Sequence, residues 1–241
     1  MSTFLPKLRS PRLWNALLSL RSLMAVAVVF TTGVPSKAAV IFSDLGTGGT
    51  YSCCSANAAG GPAYPTGLLE TAASFVPTGN TIFDQIDLAL GSVAGWSDAV
   101  TISLTNDNGG LPGSPLKSWS VSGFPRFEST STSLQTLVPT SLILLSANTK
   151  YWILEAPAAS NTYATWNVPV GGYATGTITD FYQAGSGWRT NDPNAPNNFG
   201  TPSVAFDVLG TPVPEPQYLG LIGCSLLVGF GMDALARKRL G

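Results

Sequence analysis

Apolar and polar residues alternate with period two along the middle of the chain. In TIFDQIDLALGSV, residues 81–93, the alternation predicts a strand with Ile82, Ile86, Leu88 and Leu90 on one face and Gln85 and Asp87 on the other. Asp84 interrupts the apolar face and predicts a bulge or a strand edge close by. In AVTISLTND, residues 99–107, Val100, Ile102 and Leu104 alternate with Thr101, Ser103 and Thr105. In SVAFDVLG, residues 203–210, Val204, Phe206 and Val208 alternate with Ser203, Ala205 and Asp207. KYWILEAP, residues 150–157, is apolar at both parities and reads as a central strand buried on both faces. Weaker strands are expected at AVIFSDL, AASFVP, LKSWSVS, YATWNV and TITDFYQ, each bounded by Gly, Pro, Asn or Asp. About nine or ten short strands with turns between them predict an all-β, antiparallel β-sandwich or jelly-roll-like domain over residues 39–211. SDLGTGGTYSCCSANAAGGPAYPTG, from residue 43 on, lacks the alternation and reads as irregular.

Composition sharpens this picture. Charged residues are 10% of the chain, against roughly 25% in typical soluble proteins. Long solvated helices need Glu and Lys on their outer faces, so the low charge favours strands and turns. Hydrophobic residues are 44% and aromatics 10%, enough for a packed core. The formal net charge is −1, but the cations cluster at the two ends. Between residues 40 and 213 only Lys117, Arg126, Lys150 and Arg189 stand against eleven acids. A domain of that sign repels phosphate backbones, which argues against a nucleic-acid partner.

Both ends carry targeting patterns. Lys7, Arg9, Arg12 and Arg21 precede the apolar stretch Leu23 to Phe30, and Ser36 and Ala38 supply small residues before a cut. This layout predicts a secretory signal peptide over residues 1–38, the other reading being an uncleaved amphipathic or membrane anchor. At the other end, the 19 residues from Tyr218 to Ala236 would span about 28 Å as a helix, close to the hydrocarbon thickness of a bilayer. Glycines 220, 223, 229 and 231 suit a membrane helix, and Asp233 lies near its basic end, where Arg237 can pair with it. Arg237, Lys238 and Arg239 are expected to stay in the cytoplasm, leaving the domain outside the inner membrane. The competing reading of residues 218–236 is a buried hairpin or helix in the domain core.

Val213-Pro214-Glu215-Pro216, the apolar segment and the Arg-Lys-Arg cluster follow one another in that order over residues 212–241. This tripartite tail resembles the PEP-CTERM sorting signal of Gram-negative bacteria. The resemblance implies recognition of the Pro-Glu-Pro segment by exosortase, a membrane protease-transferase. It also implies an association with extracellular polysaccharide and biofilm matrix. Physically, prolines 212, 214 and 216 favour an extended, solvated segment that a protease cleft can take in without unfolding anything. A second resemblance lies upstream. VTISLTNDNGGLPGSPLKSWSVSG carries a strand, the loop Asp107-Asn108-Gly109-Gly110-Leu111-Pro112-Gly113 and a strand containing Trp119. With Tyr151, Trp152 and Trp166 further on, it is similar to the choice-of-anchor R domain over roughly residues 71–209. That family stands in front of several different surface anchors, which implies separable modules and leaves its biochemical activity unassigned.

Candidate chemistry is sparse. The chain has no histidine, which removes Ser-His-Asp and Cys-His catalysis and histidine-based metal sites. Glu70, Glu128 and Glu155 are the glutamates of the domain, and nothing in their spacing pairs them as a glycosidase would need. The expectation is therefore a non-catalytic protein. Asp107 and Asn108 around a glycine turn, and Asp192 in RTNDPNAPNNFG, offer the oxygen ligands that calcium takes. The same residues also read as ordinary turn formers. Cys53 and Cys54 read as loop thiols, with a vicinal or intermolecular disulfide as the other choice. Trp96, Trp119, Trp152, Trp166 and Trp188 divide between core packing and sugar stacking. Trp96 and Trp188 lie beside glycines in expected loops and are the ligand-binding candidates. The sequence thus points to an exported structural or adhesive component of extracellular polymer. A carbohydrate-binding module, with or without calcium, is the second reading, and a polysaccharide hydrolase the third.

Overall fold

The structure is a computed structural model, and it describes residues 38–46, 48–127, 133–170, 179–184, 186–190 and 203–213. The signal-peptide stretch, Glu128, Asp192, Pro214-Glu215-Pro216, the apolar segment 218–236 and the terminal cations lie outside these residues. Among the described residues there is no α-helix, and none therefore long and apolar enough to cross a membrane.

Fourteen strands run in chain order among the described residues. They are β1 (Ala39–Ser43), β2 (Ser52–Gly60), β3 (Leu69–Phe75), β4 (Thr81–Leu88), β5 (Leu90–Ser92), β6 (Val100–Asn108) and β7 (Leu111–Val121). Then follow β8 (Gln135–Leu137), β9 (Leu144–Leu145), β10 (Tyr151–Pro157), β11 (Tyr163–Val168), β12 (Thr179–Gln183), β13 (Gly187–Thr190) and β14 (Phe206–Pro212). All pairs among these strands are antiparallel. One sheet has the order β1-β14-β4-β8, with β9 also on β4. The other runs β5-β11-β2-β3-β10-β6-β7 and forks at β3, which also carries β12 and, through it, β13. The all-β, sandwich-like expectation holds.

The two sheets share one apolar core. Phe83, Ile86, Leu88, Phe206 and Val208 come from the smaller sheet, and Phe75, Ile102, Leu104, Ile153 and Trp166 from the larger. Phe206 lies where rings of both sheets meet, 4.9 Å from Phe42, 5.7 Å from Trp166 and 6.4 Å from Phe75 by centroid. The Trp166 Nε1–H donates to the Ala205 carbonyl at 2.9 Å, so the indole buries its area without stranding its one donor. Strand β10 sits between β3 and β6 with Tyr151, Trp152 and Ile153 all buried, as its double-parity pattern predicts.

Two expectations need correction. Ile82 is only half-buried, and Phe83 takes its place in the core beside Ile86 and Leu88. The cause is the bulge: Gln85 pairs with Leu209 and Phe83 with Gly210, so Asp84 is the extra residue and the inward parity shifts by one across it. Residues 52–60 are also not irregular. They form β2, held between β11 and β3. Cys53 and Cys54 therefore belong to a strand rather than a loop, at the point where pairing jumps from Ser52–Val168 to Ala56–Asn167. Their side chains lie outside the described ones.

One side chain contradicts its surroundings. Glu155 follows Tyr151 and Ile153 on the core side of β10, opposite Thr71 of β3 and Ile102 of β6. It is fully buried and neither carboxylate oxygen has a hydrogen-bond partner. The nearby Thr71 hydroxyl donates to the Ala58 carbonyl instead. Burial alone pushes the Glu155 carboxyl up to about 8, so it is a neutral acid at pH 7.

Candidate functional site: an aromatic cluster at one end of the larger sheet

The antiparallel register brings several connections to a single end of the nine-stranded sheet. These are residues 61–68 between β2 and β3, 93–99 between β5 and β6, and 158–162 between β10 and β11. Their backbones bond to one another. Gly61 N–H donates to Thr162 O at 2.8 Å, Ala63 N–H to Ser160 O at 2.9 Å, Ser97 N–H to Asn161 O at 3.1 Å and Tyr163 N–H to Ser97 O at 2.7 Å. The Thr162 hydroxyl adds a bond to the Ala99 carbonyl at 2.9 Å. Only glycine fits at 61, because a Cβ there would run into the carbonyl oxygens of Ala159 and Ser160. Asp98 ties this loop set to the segment after β7, accepting the N–H groups of Gly123 and Phe124 on one oxygen at 2.8 Å each.

Three rings emerge from this scaffold, one from each side. Tyr64 and Tyr163 stack at 4.3 Å with 20° between their planes. Trp96 meets both edge-on, at 5.6 Å from Tyr64 and 6.0 Å from Tyr163. Since Ala164 and Trp166 point into the core, Tyr163 points to the outer face of the sheet. Its strand partner is Gly60, whose missing side chain leaves room for the Tyr64 ring to lie flat beside it. All three rings are half-buried, unlike Trp152 and Trp166, which are fully enclosed. Partial burial, then the hydrogen bond that its hydroxyl donates to the neighbouring Tyr64, pushes the Tyr163 phenol up to about 12. Its hydroxyl is therefore neutral at any physiological pH, with oxygen lone pairs left to accept.

The tryptophan candidates thus separate. Trp96 belongs to the cluster. Trp188 lies on strand β13 rather than in a loop, paired in register with Tyr182 of β12, their rings 5.6 Å apart. Trp119 packs against the core beside Phe83 and donates its Nε1–H to the Val138 carbonyl at 3.0 Å. Tyr64 and Tyr163 are not among the residues that sequence reasoning singles out. Only the convergence of two loops on the first residue of β11 brings them to Trp96, although a tyrosine flanked by Gly61-Pro62 and Pro65 is a local hint.

Of the calcium candidates, Asp107 is already engaged. One Asp107 oxygen accepts the Trp152 Nε1–H at 2.8 Å and the other accepts the Gly110 N–H at 3.1 Å. Gly109 and Gly110, both at positive φ, form the two-residue turn of the β6–β7 hairpin, with Asn108 opposite Leu111. Among the described residues no three acidic or cysteine side chains gather as a metal would need. Glu70 lies one residue from Thr71, so it faces away from Glu155 across the sheet. On the smaller sheet Asp87 and Asp207 stand opposite one another in register. Burial, with the charge of Asp87 beside it, raises the Asp207 carboxyl despite bonds from Ser43 and the Leu45 N–H.

No known family model matches the chain, and no curated protein matches it either.

Proposed function

We propose that the protein is an exported, non-catalytic component of the cell surface or extracellular matrix. In this reading it is delivered by the signal peptide over residues 1–38 and held in the inner membrane by the helix over 218–236. An exosortase-type enzyme then processes it at a PEP-CTERM-like tail, and the sandwich domain, choice-of-anchor R-like over about 71–209, acts as a structural or adhesive unit in exopolysaccharide. One observation carries the reading. Among the described residues, paired structure starts at Ala39, opposite Gly210, and the last backbone bond runs from the Val213 N–H to Asn80 O at 2.9 Å. By sequence position, both expected processing sites fall outside the span of the described strands, which supports the reading. Pro214 and Pro216 lack an N–H and would each remove a ladder donor, which favours a recognition segment outside the sheet. The test replaces Pro214-Glu215-Pro216 by alanines in a host that carries the processing enzyme. The expected outcome is retention of a heavier, membrane-bound form; an unchanged mature mass and location would refute the sorting role.

The second reading, a carbohydrate-binding module, is favoured by the Tyr64–Trp96–Tyr163 cluster. It needs no calcium at Asp107, whose oxygens already serve the chain.

A further inference from the structure

We propose that the Tyr64–Trp96–Tyr163 end of the larger sheet is a binding site for an uncharged hexopyranose polymer. This deepens the reading above and rests on the placement of the domain among extracellular polysaccharide. Three observations support it. The rings are half-exposed and lie on the outer face, although each is large enough to have been enclosed as Trp152 and Trp166 are. A pyranose ring presents a face of C–H groups to such a surface, and Trp and Tyr combine an apolar body with a polar tip. Next, the cluster is rigid before any ligand arrives, because its loops are bonded to one another and packed at Gly61. Little ordering entropy is then lost on binding. Finally, the chemistry around the rings is neutral. Segments 61–68, 93–99 and 158–162 contain one charged residue, Asp98, whose carboxylate caps Gly123 and Phe124. Arg126, in the adjoining segment, is engaged within the chain. What remains to meet a sugar are the tyrosine hydroxyls and the exposed side chains of Ser160 and Asn161, which suit hydroxyl groups. A uronate polymer would find no cation in these three segments, and it would face a domain carrying seven more acids than bases between residues 40 and 213.

The experiment is native affinity electrophoresis of the full chain in detergent, in gels containing hydroxyethylcellulose, dextran or galactomannan, with alginate as the acidic arm. The expected result is retardation by at least one neutral polymer, unchanged by added salt. Trp96→Ala should weaken it about tenfold or more, and Tyr163→Phe, which keeps the stack and removes one hydroxyl, should weaken it less. Thermal unfolding reports whether each variant is folded, and Tyr163→Phe decides the matter if Trp96→Ala is not. Retardation by alginate alone, by no neutral polymer, or unaffected in folded variants would overturn the proposal. Export and tail processing are read separately from mature mass and location, so failure here leaves them standing and their failure is recognised independently.

Discussion

Glu155 places a titratable acid where the fold offers it nothing. Both oxygens lack a partner, and its strand neighbours Thr71 and Ile102 carry no charge. Only burial raises its carboxyl, with no contribution from another charged group. The folded form keeps its proton to about pH 8, whereas an unfolded glutamate releases it near pH 4.5. Its contribution is therefore intact below pH 4.5 and is lost as the pH rises towards 8, by an amount on the order of a few kcal/mol. Urea unfolding midpoints at pH 5, 7 and 9 should fall steadily for the native chain. Glu155→Gln, which cannot ionise, should flatten that slope and gain relative stability at pH 9. An equal slope in both would mean that the carboxylate reaches water or a partner when charged. Nothing in the string KYWILEAP announces this residue: the pattern marks a doubly buried strand without saying that its one acid points inward.

At the scale of elements, legibility follows side-chain size and alternation. Strands β4, β6, β10 and β11 are readable because large apolar residues mark them at period two or continuously. Strand β2 is not, because Ser-Cys-Cys-Ser-Ala-Asn-Ala-Ala-Gly has no alternation and small residues of low strand preference. It is a strand because β11 and β3 supply partners, and its small residues leave the Tyr64 ring space at Gly60. The misplaced carboxylate of Asp84 signals the bulge but not the shift in parity across it, so Ile82 and Phe83 exchange faces relative to the sequence expectation. That geometry yields a prediction. Removing Asp84 would join Phe83 to Gln85 and leave Phe83, Ile86 and Leu88 inward against an unchanged β14. The recognised loss is the 2.6 Å bond from the Thr211 hydroxyl to Asp84, worth about 1 kcal/mol. Removing Asp87 instead would turn Leu88, a fully buried residue, to the outer face. The Asp84 deletion should fold with a modestly lower midpoint, and the Asp87 deletion should lose cooperative unfolding. Equal damage from both would argue that the bulge is an essential bend rather than an inserted residue.

For the whole molecule, the question is whether residues 39–213 suffice to fold. Strand β1 pairs with β14 and delivers Phe42 to the rings of Phe206 and Phe75, at 4.9 and 5.9 Å. Strand β14 in turn lies between β1 and β4. First and last strands are thus neighbours, and the fold is complete only when both ends of the domain are present. A fragment of residues 39–213 is expected to unfold cooperatively with an all-β circular-dichroism spectrum. A fragment of residues 46–213 loses β1, exposes one edge of β14 and deletes the half-buried Phe42, at a cost of about 2–4 kcal/mol. For a domain of this length the thermal midpoint should drop by roughly 5–15 °C. The bare β14 edge should also promote association, visible as a concentration-dependent midpoint. If the 39–213 fragment shows no cooperative transition, the terminal segments belong to the fold. The tail would then not be a detachable handle, and a sorting enzyme could not remove it without unfolding the domain it delivers.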